Sequence, residues 1–172
     1  MENVDPLALN ETDEKKIELE RQEAEEGSNA NWEHQELAQV KIRVIRGHSD
    51  SVNSCQFLRN DKNILTASAD ATVVLWDTES GSSIHTFKGH KNCATFAKAS
   101  PISNTFISGG WDKKVNCWDL ETGQILWSSS HAGMVTCGNF SQDGTRLVTG
   151  SDQDYTVRVL DAASGSLIQE IK

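Results

Sequence analysis

The stretch SGGWDKKVNCWD, residues 108–119, contains the dipeptide Trp-Asp twice, at Trp111-Asp112 and at Trp118-Asp119. The pairs lie seven residues apart, so only one of them can punctuate a structural repeat. Comparison along the chain settles which. Trp76, Trp118 and Leu160 are spaced by 42 residues, as are Asp77, Asp119 and Asp161 and the glycines Gly81, Gly123 and Gly165. His48, His90 and His131 step by 42 and then 41. Several independent columns held at one step establish an internal repeat. Trp118-Asp119 is therefore the punctuation. Asp112 belongs to a second column with Asp70 and Asp154, and Trp111 only happens to precede it.

Each unit reads as four short strands separated by turn clusters. In the first unit these fall at Ser51–Phe57, Lys62–Ala67, Thr72–Trp76 and Ser83–Phe87. Runs such as TVVLW and TVRVL consist almost wholly of β-formers, which predicts strands buried on both faces. RNDKN, SQDG and the recurring Ser/Thr-Gly after each Asp77-type position signal tight turns. Gly81, Gly123 and Gly165 are expected to supply a positive φ there. The units run over about 41–82, 83–124 and 125–166, with a last outer strand at 167–171.

Ahead of the repeats lies a segment of another kind. Residues 1–40 hold twelve of the 25 acidic residues and three of the 16 basic ones, and so carry the entire net charge of −9. This acidic segment reads as disordered or marginally helical, with Asn10 or Thr12 as a cap and Gly27-Ser28 as a stop. Trp32 is its one conspicuous apolar residue. The repeats themselves are neutral. That balance argues against nucleic acid, which needs a basic footprint, and against a polybasic membrane site. Cys55, Cys93, Cys117 and Cys137 form no Cys-x-x-Cys pair, and no histidine stands at zinc spacing. The first residues show no signal-peptide pattern, which predicts an intracellular, cytoplasmic or nuclear, chain.

Gly47-His48 and Gly89-His90, each followed by Trp76-Asp77 or Trp118-Asp119, resemble WD40 repeats. The resemblance covers residues 41–172 and implies an all-β partial propeller of three four-stranded blades. It also implies a buried polar chain in each blade: His48, Thr66, Asp70 and Trp76, then His90, Ser108, Asp112 and Trp118. In the third unit His131, Thr149 and Asp154 remain, and Leu160 takes the place of the indole. Donors and acceptors match in such a set: an indole only donates, a carboxylate only accepts, and a hydroxyl or imidazole does both. Ser108, His90 and Asp112 are also the residue types of a hydrolase triad. The same pattern recurs in the first unit, however, and no G-x-S-x-G elbow is present, so the structural role is preferred.

Function by this resemblance is non-catalytic protein–protein interaction, with no metal and no cofactor. The positions that would line the presenting face are Ala69, Trp111 and Gln153, then Asn53, Thr95 and Thr136, then Ser51, Cys93 and Met134. Trp111 stands out as the hot-spot type. The competing role for it is a contact with its own blade or with Lys113 or Lys114. A substrate-receptor or adaptor subunit of a ubiquitin ligase is the second role in the family. There an Arg often follows two positions after Trp-Asp, where this chain has Glu79, Glu121 and Ala163.

Three blades are fewer than the four to eight with which propellers close. The segment Lys41–Ile45 reads as an orphan outer strand that would complete a missing last blade. Standing alone, the chain is expected to self-associate through its uncovered flanks.

Overall fold

The computed structural model describes residues 44–153 and 155–172. The acidic segment 1–40, with Trp32, and also Asp154 lie outside the described residues. Contacts divide the chain into Met1–Ile42 and Arg43–Lys172, and the second unit carries every strand named below.

The first blade consists of β1 (Val52–Phe57), β2 (Asn63–Ser68), β3 (Thr72–Asp77) and β4 (Ser83–Lys88). The second consists of β5 (Ala94–Ala99), β6 (Thr105–Gly110), β7 (Lys114–Asp119) and β8 (Ile125–Ser130). The third consists of β9 (Val135–Phe140), β10 (Arg146–Ser151), β11 (Val157–Asp161) and β12 (Leu167–Ile171). Each blade is an antiparallel meander in which consecutive strands pair. The described residues contain no helix. Strand positions in the first unit agree with the sequence expectation to within a residue.

The turns explain two of the repeated columns. Between the last two strands of each blade the periodic aspartate closes the turn on itself. Asp77, Asp119 and Asp161 accept through Oδ1 from the backbone amides of Ser80, Thr122 and Ser164, at 2.6–2.8 Å. The glycine amides then return to the aspartate carbonyls, with φ of 73° at Gly81, 72° at Gly123 and 70° at Gly165. A residue with a Cβ is strained in that left-handed conformation, which accounts for the glycine column.

Successive side chains on a strand point to opposite faces, so each blade serves two seams. Leu65, Ala67, Val73, Leu75 and Phe87 of the first blade pack against Ala94, Ala97, Phe106, Trp118 and Leu120 of the second. Phe96, Ile107, Val115 and Cys117 of the second pack against Val135, Leu147 and Leu160 of the third. The middle blade is thus buried on both faces.

Of the outer two blades, the third departs from the expectation of strands buried on both faces. TVVLW is buried throughout, because the segment before β1 folds onto its outer face. A Cβ on Gly47 would lie 2.6 Å from the Trp76 ring, so only glycine fits there. TVRVL is not buried on both faces: Val157 is 40% exposed, and Val148 beside it on β10 is 41% exposed. The expectation fails there because no further sheet covers that face among the described residues. The orphan strand is not seen either. Val44 and Ile45 lie in no strand, and Lys41–Arg43 lie outside the described residues. A strand exists through its ladder partner, and the sheet it would join is not present among the described residues.

Candidate functional site

The polar chain is laid out twice in full. In the first blade Trp76 Nε1 donates to Thr66 Oγ1 at 2.8 Å, and Thr66 Oγ1 lies 2.7 Å from His48 Nε2. His48 Nδ1 lies 2.9 Å from Asp70 Oδ2. A carboxylate only accepts, so in the neutral imidazole Nδ1 holds the proton and Nε2 accepts the Thr66 hydroxyl. Every donor is then aimed the same way, from indole to hydroxyl to imidazole to carboxylate, and each member is satisfied. The second blade repeats this from Trp118 through Ser108 and His90 to Asp112, at 2.8, 2.7 and 3.0 Å. In the third, His131 Nε2 lies 2.8 Å from Thr149 Oγ1, and Leu160 fills the indole's place. Asp154 lies outside the described residues.

Burial works to raise the pKa of Asp70, but four hydrogen bonds outweigh it and hold the carboxyl below its ordinary range. These come from the Thr72 hydroxyl, His48, and the backbone amides of Ser49 and Thr72. The chain anchors the loop before the innermost strand to the β2–β3 turn. Ser108, the triad-type hydroxyl, has no exposed surface, and its oxygen is already held by the indole and the imidazole. A substrate has no path to it.

Glycine and indole are coupled across the repeat. A Cβ on Gly89 would sit 2.6 Å from Trp118, as one on Gly47 would from Trp76. The third blade carries Ser130 in the glycine column and Leu160 in the tryptophan column. A leucine is smaller than an indole, so a residue with a Cβ in the glycine column meets less bulk there.

The rim is built on the turns between the second and third strands of each blade. Ala69 N donates to Ser51 O at 2.8 Å, Trp111 N to Cys93 O at 2.9 Å, and Asp152 N to Met134 O at 3.1 Å. These bonds define one slot in three copies. Asp152, not Gln153, therefore occupies the slot of Ala69 and Trp111. The extra residue of the third loop falls after the slot, and Gln153 is the exposed residue next to it.

The other presenting candidates separate by use. Asn53, Thr95 and Thr136 are the residues at which the innermost strands slip register against their neighbours. Such a bulge re-aims its side chain. Asn53 Nδ2 donates to Ala94 O at 2.9 Å, and the Thr95 hydroxyl donates to Val135 O at 2.6 Å. Both tie their blade to the next, so they are not free to meet a partner. Thr136 is exposed and its hydroxyl reaches only Gly150 O of its own blade, at 3.4 Å. Cys93 is buried, with its sulfur 3.2 Å from Asn53 Nδ2. Ser51 is exposed and Met134 half-buried at the rim. Trp111 is 49% exposed, and among the described residues its indole makes no hydrogen bond, ring contact or cation–π contact with Lys113 or Lys114.

Of two lysines beside Trp111, the sequence reading takes Lys113 only as a contact for the indole and does not single out Lys91. Lys91 donates its amide to Asp112 Oδ2 at 3.0 Å, and Lys113 donates its amide to Gly110 O at 3.2 Å, with φ of 65°. Both side chains are exposed. The signal was available: each directly follows one end of the His90–Asp112 pair.

The family described as "WD domain, G-beta repeat" matches the chain three times, at residues 39–77, 81–119 and 123–161. WD repeat-containing protein 88 of Homo sapiens is 31% identical over 172 residues, which cover 98% of this chain and 36% of that protein. A guanine nucleotide-binding protein subunit beta of Oryza sativa subsp. indica is 34% identical over 136 residues, covering 74% of this chain and 36% of that protein. In these relatives the chain spans about a third of the length. Among solved structures, one titled "Crystal structure of RRP9 WD40 repeats" superposes with a TM-score of 0.71 at 24% identity, over 75% of this chain and 41% of that one. That likeness shows the fold.

Proposed function

The chain belongs to the WD40-repeat family, whose members generally act as protein-interaction scaffolds without catalysis, and from that premise we propose that it presents its β2–β3 rim to a peptide or protein partner with Trp111 as the anchor. The observation that carries this reading is the state of Trp111 itself. It is a large aromatic, half exposed, with no side-chain partner of its own, on the one blade that is flanked on both sides. Aromatic residues of this kind dominate interface energetics. Relatives named as subunits of a guanine nucleotide-binding protein are compatible with work inside an assembly. The role of ligase adaptor gains no support, since Glu79 and Glu121 are exposed acids where its arginine would stand. A cytoplasmic setting belongs to the same proposal, in keeping with four free thiols.

The test is affinity capture with the full chain, comparing wild type with Trp111→Ala and with Gln142→Ala, a change in the exposed β9–β10 turn. The reading requires proteins retained by wild type and by Gln142→Ala but lost with Trp111→Ala, at unchanged melting temperature. Equal capture by all three would overturn it.

A second interaction is proposed for the 172-residue chain standing alone: head-to-tail self-association. Val148, Val157 and Val159 hold the columns that Ile107, Val115 and Cys117 hold in the inner seam. On the opposite flank Val52, Ile64 and Trp76 hold the columns of Val135, Leu147 and Leu160, around a groove of about 660 Å³. In the inner seam a Cβ on Gly138 would meet the Phe96 ring at 2.5 Å. Those two positions correspond to the exposed Cys137 and Cys55. A short bis-maleimide should therefore join a Cys55→Ser copy to a Cys137→Ser copy in a mixture, and neither variant to itself. A monomer in sedimentation, or homotypic products, would exclude this arrangement.

A further inference from the structure

The three copies of the rim differ in a way that bears on the partner's chemistry. Three slots recur: the residue after the histidine, the residue before the turn aspartate, and the residue after it. In the first blade they hold Ser49, Ala69 and Ala71, all small and uncharged. In the second they hold Lys91, Trp111 and Lys113. All three second-blade residues are tied by backbone bonds to one turn. Lys91 and Lys113 are exposed, and neither has an ion-pair partner among the described residues. Lys114, half-buried, follows directly.

The acid within this turn, Asp112, offsets one of the three charges of Lys91, Lys113 and Lys114 and leaves an excess of two. The Asp112 side chain is 5% exposed, and its oxygens are occupied by His90 Nδ1 and by the amides of Lys91 and Lys114. Acids on the same rim of the neighbouring blades include Asp50 and Asp70 on the first and Asp152 on the third. Asp50 accepts from the amide of Ser51, and Asp152 from that of Met134. The turn that carries the half-exposed Trp111 thus also carries two exposed lysines. Lysines so placed attract carboxylates, raise the rate of encounter and disfavour basic partners. A bare indole supplies the desolvated contact that holds the complex.

We infer that the rim of the second blade recognises an acidic segment of a partner protein, carrying an apolar side chain for Trp111 and carboxylates for Lys91 and Lys113. This rests on the reading of Trp111 as an anchor, and it adds the sign of the partner's charge.

The probe is a phage-displayed library of random twelve-residue peptides, selected on the full chain and scored against three variants. The variants are Trp111→Ala, the pair Lys91→Glu with Lys113→Glu, and, as a control, Gln142→Ala in the exposed β9–β10 turn, each checked for an unchanged melting temperature. The expected peptides are rich in Asp and Glu around one large apolar residue. Synthetic copies should bind about thirtyfold or more weakly to Trp111→Ala. They should lose about tenfold on charge reversal, and lose affinity steadily as salt is raised. Peptides that need Trp111 but are neutral or basic, or that ignore the charge reversal, would overturn the inference and leave the anchor standing. Peptides that bind regardless of Trp111, or no enrichment at all, would overturn both.

Discussion

Trp118 and Trp111 stand seven residues apart on one blade, each followed by aspartate, and they live in opposite environments. Trp118 is 1% exposed, stacked on Phe106 with centroids 5.9 Å apart, and bonded to Ser108. Trp111 is 49% exposed, and among the described residues its indole makes no hydrogen bond or ring contact. The residue type is the same; the slot decides. A strand position facing a seam makes tryptophan part of the core, and a turn position makes it part of the surface. Core and rim can therefore be changed independently, and the experiments below are arranged to break that separation.

The largest effect is expected at the core. Trp118→Ala should lower stability by about 3–5 kcal/mol in urea unfolding, from lost burial and a cavity. Ser108→Ala should follow at about 1–3 kcal/mol, because it strands the indole N–H and an imidazole nitrogen in a buried site. A loss of only a few tenths in either variant would mean that the polar chain contributes little.

The third blade sharpens the comparison, since it lacks both the glycine and the indole. Leu160→Trp alone should destabilise by about 1–3 kcal/mol, as the ring meets Ser130. Combining it with Ser130→Gly should recover about 1 kcal/mol, a coupling readable in a double-mutant cycle. Simple additivity would show that the two departures are unrelated.

Acid probes the turns of all three blades. Hydrogen bonds from Ser141 and Thr145 hold Asp143 down at about 2. Thr122 lowers Asp119 and Ser164 lowers Asp161, alongside Asp70. A carboxyl depressed in the folded state contributes stability that is complete above its ordinary pKa of about 4 and is lost as pH falls through the folded value. The urea midpoint should be flat from neutral pH down to about 5 and should then fall toward pH 2. A flat profile over that range would contradict the turn geometry.

Much of this was readable before the coordinates. The 42-residue step placed the strands, the polar columns and the turn glycines, because each depends on spacing within one blade. What depends on the neighbouring blade was not readable. Asn53 and Thr95 looked like presenting residues, yet a bulge turns them onto the carbonyls of the next sheet. The place of the extra residue in the third loop also needed the backbone bond from Asp152 to Met134. Lys113 enters the sequence reading only as a competing contact for Trp111, and Lys91 not at all, because a lysine that follows a histidine belongs to no repeated column.

The most direct test of the central claim is a paired measurement on Trp111→Ala: thermal stability and partner binding in the same preparation. The separation of core and rim predicts stability within about 1 kcal/mol of wild type, with partner binding abolished. Loss of the fold, or binding that survives the substitution, would contradict it.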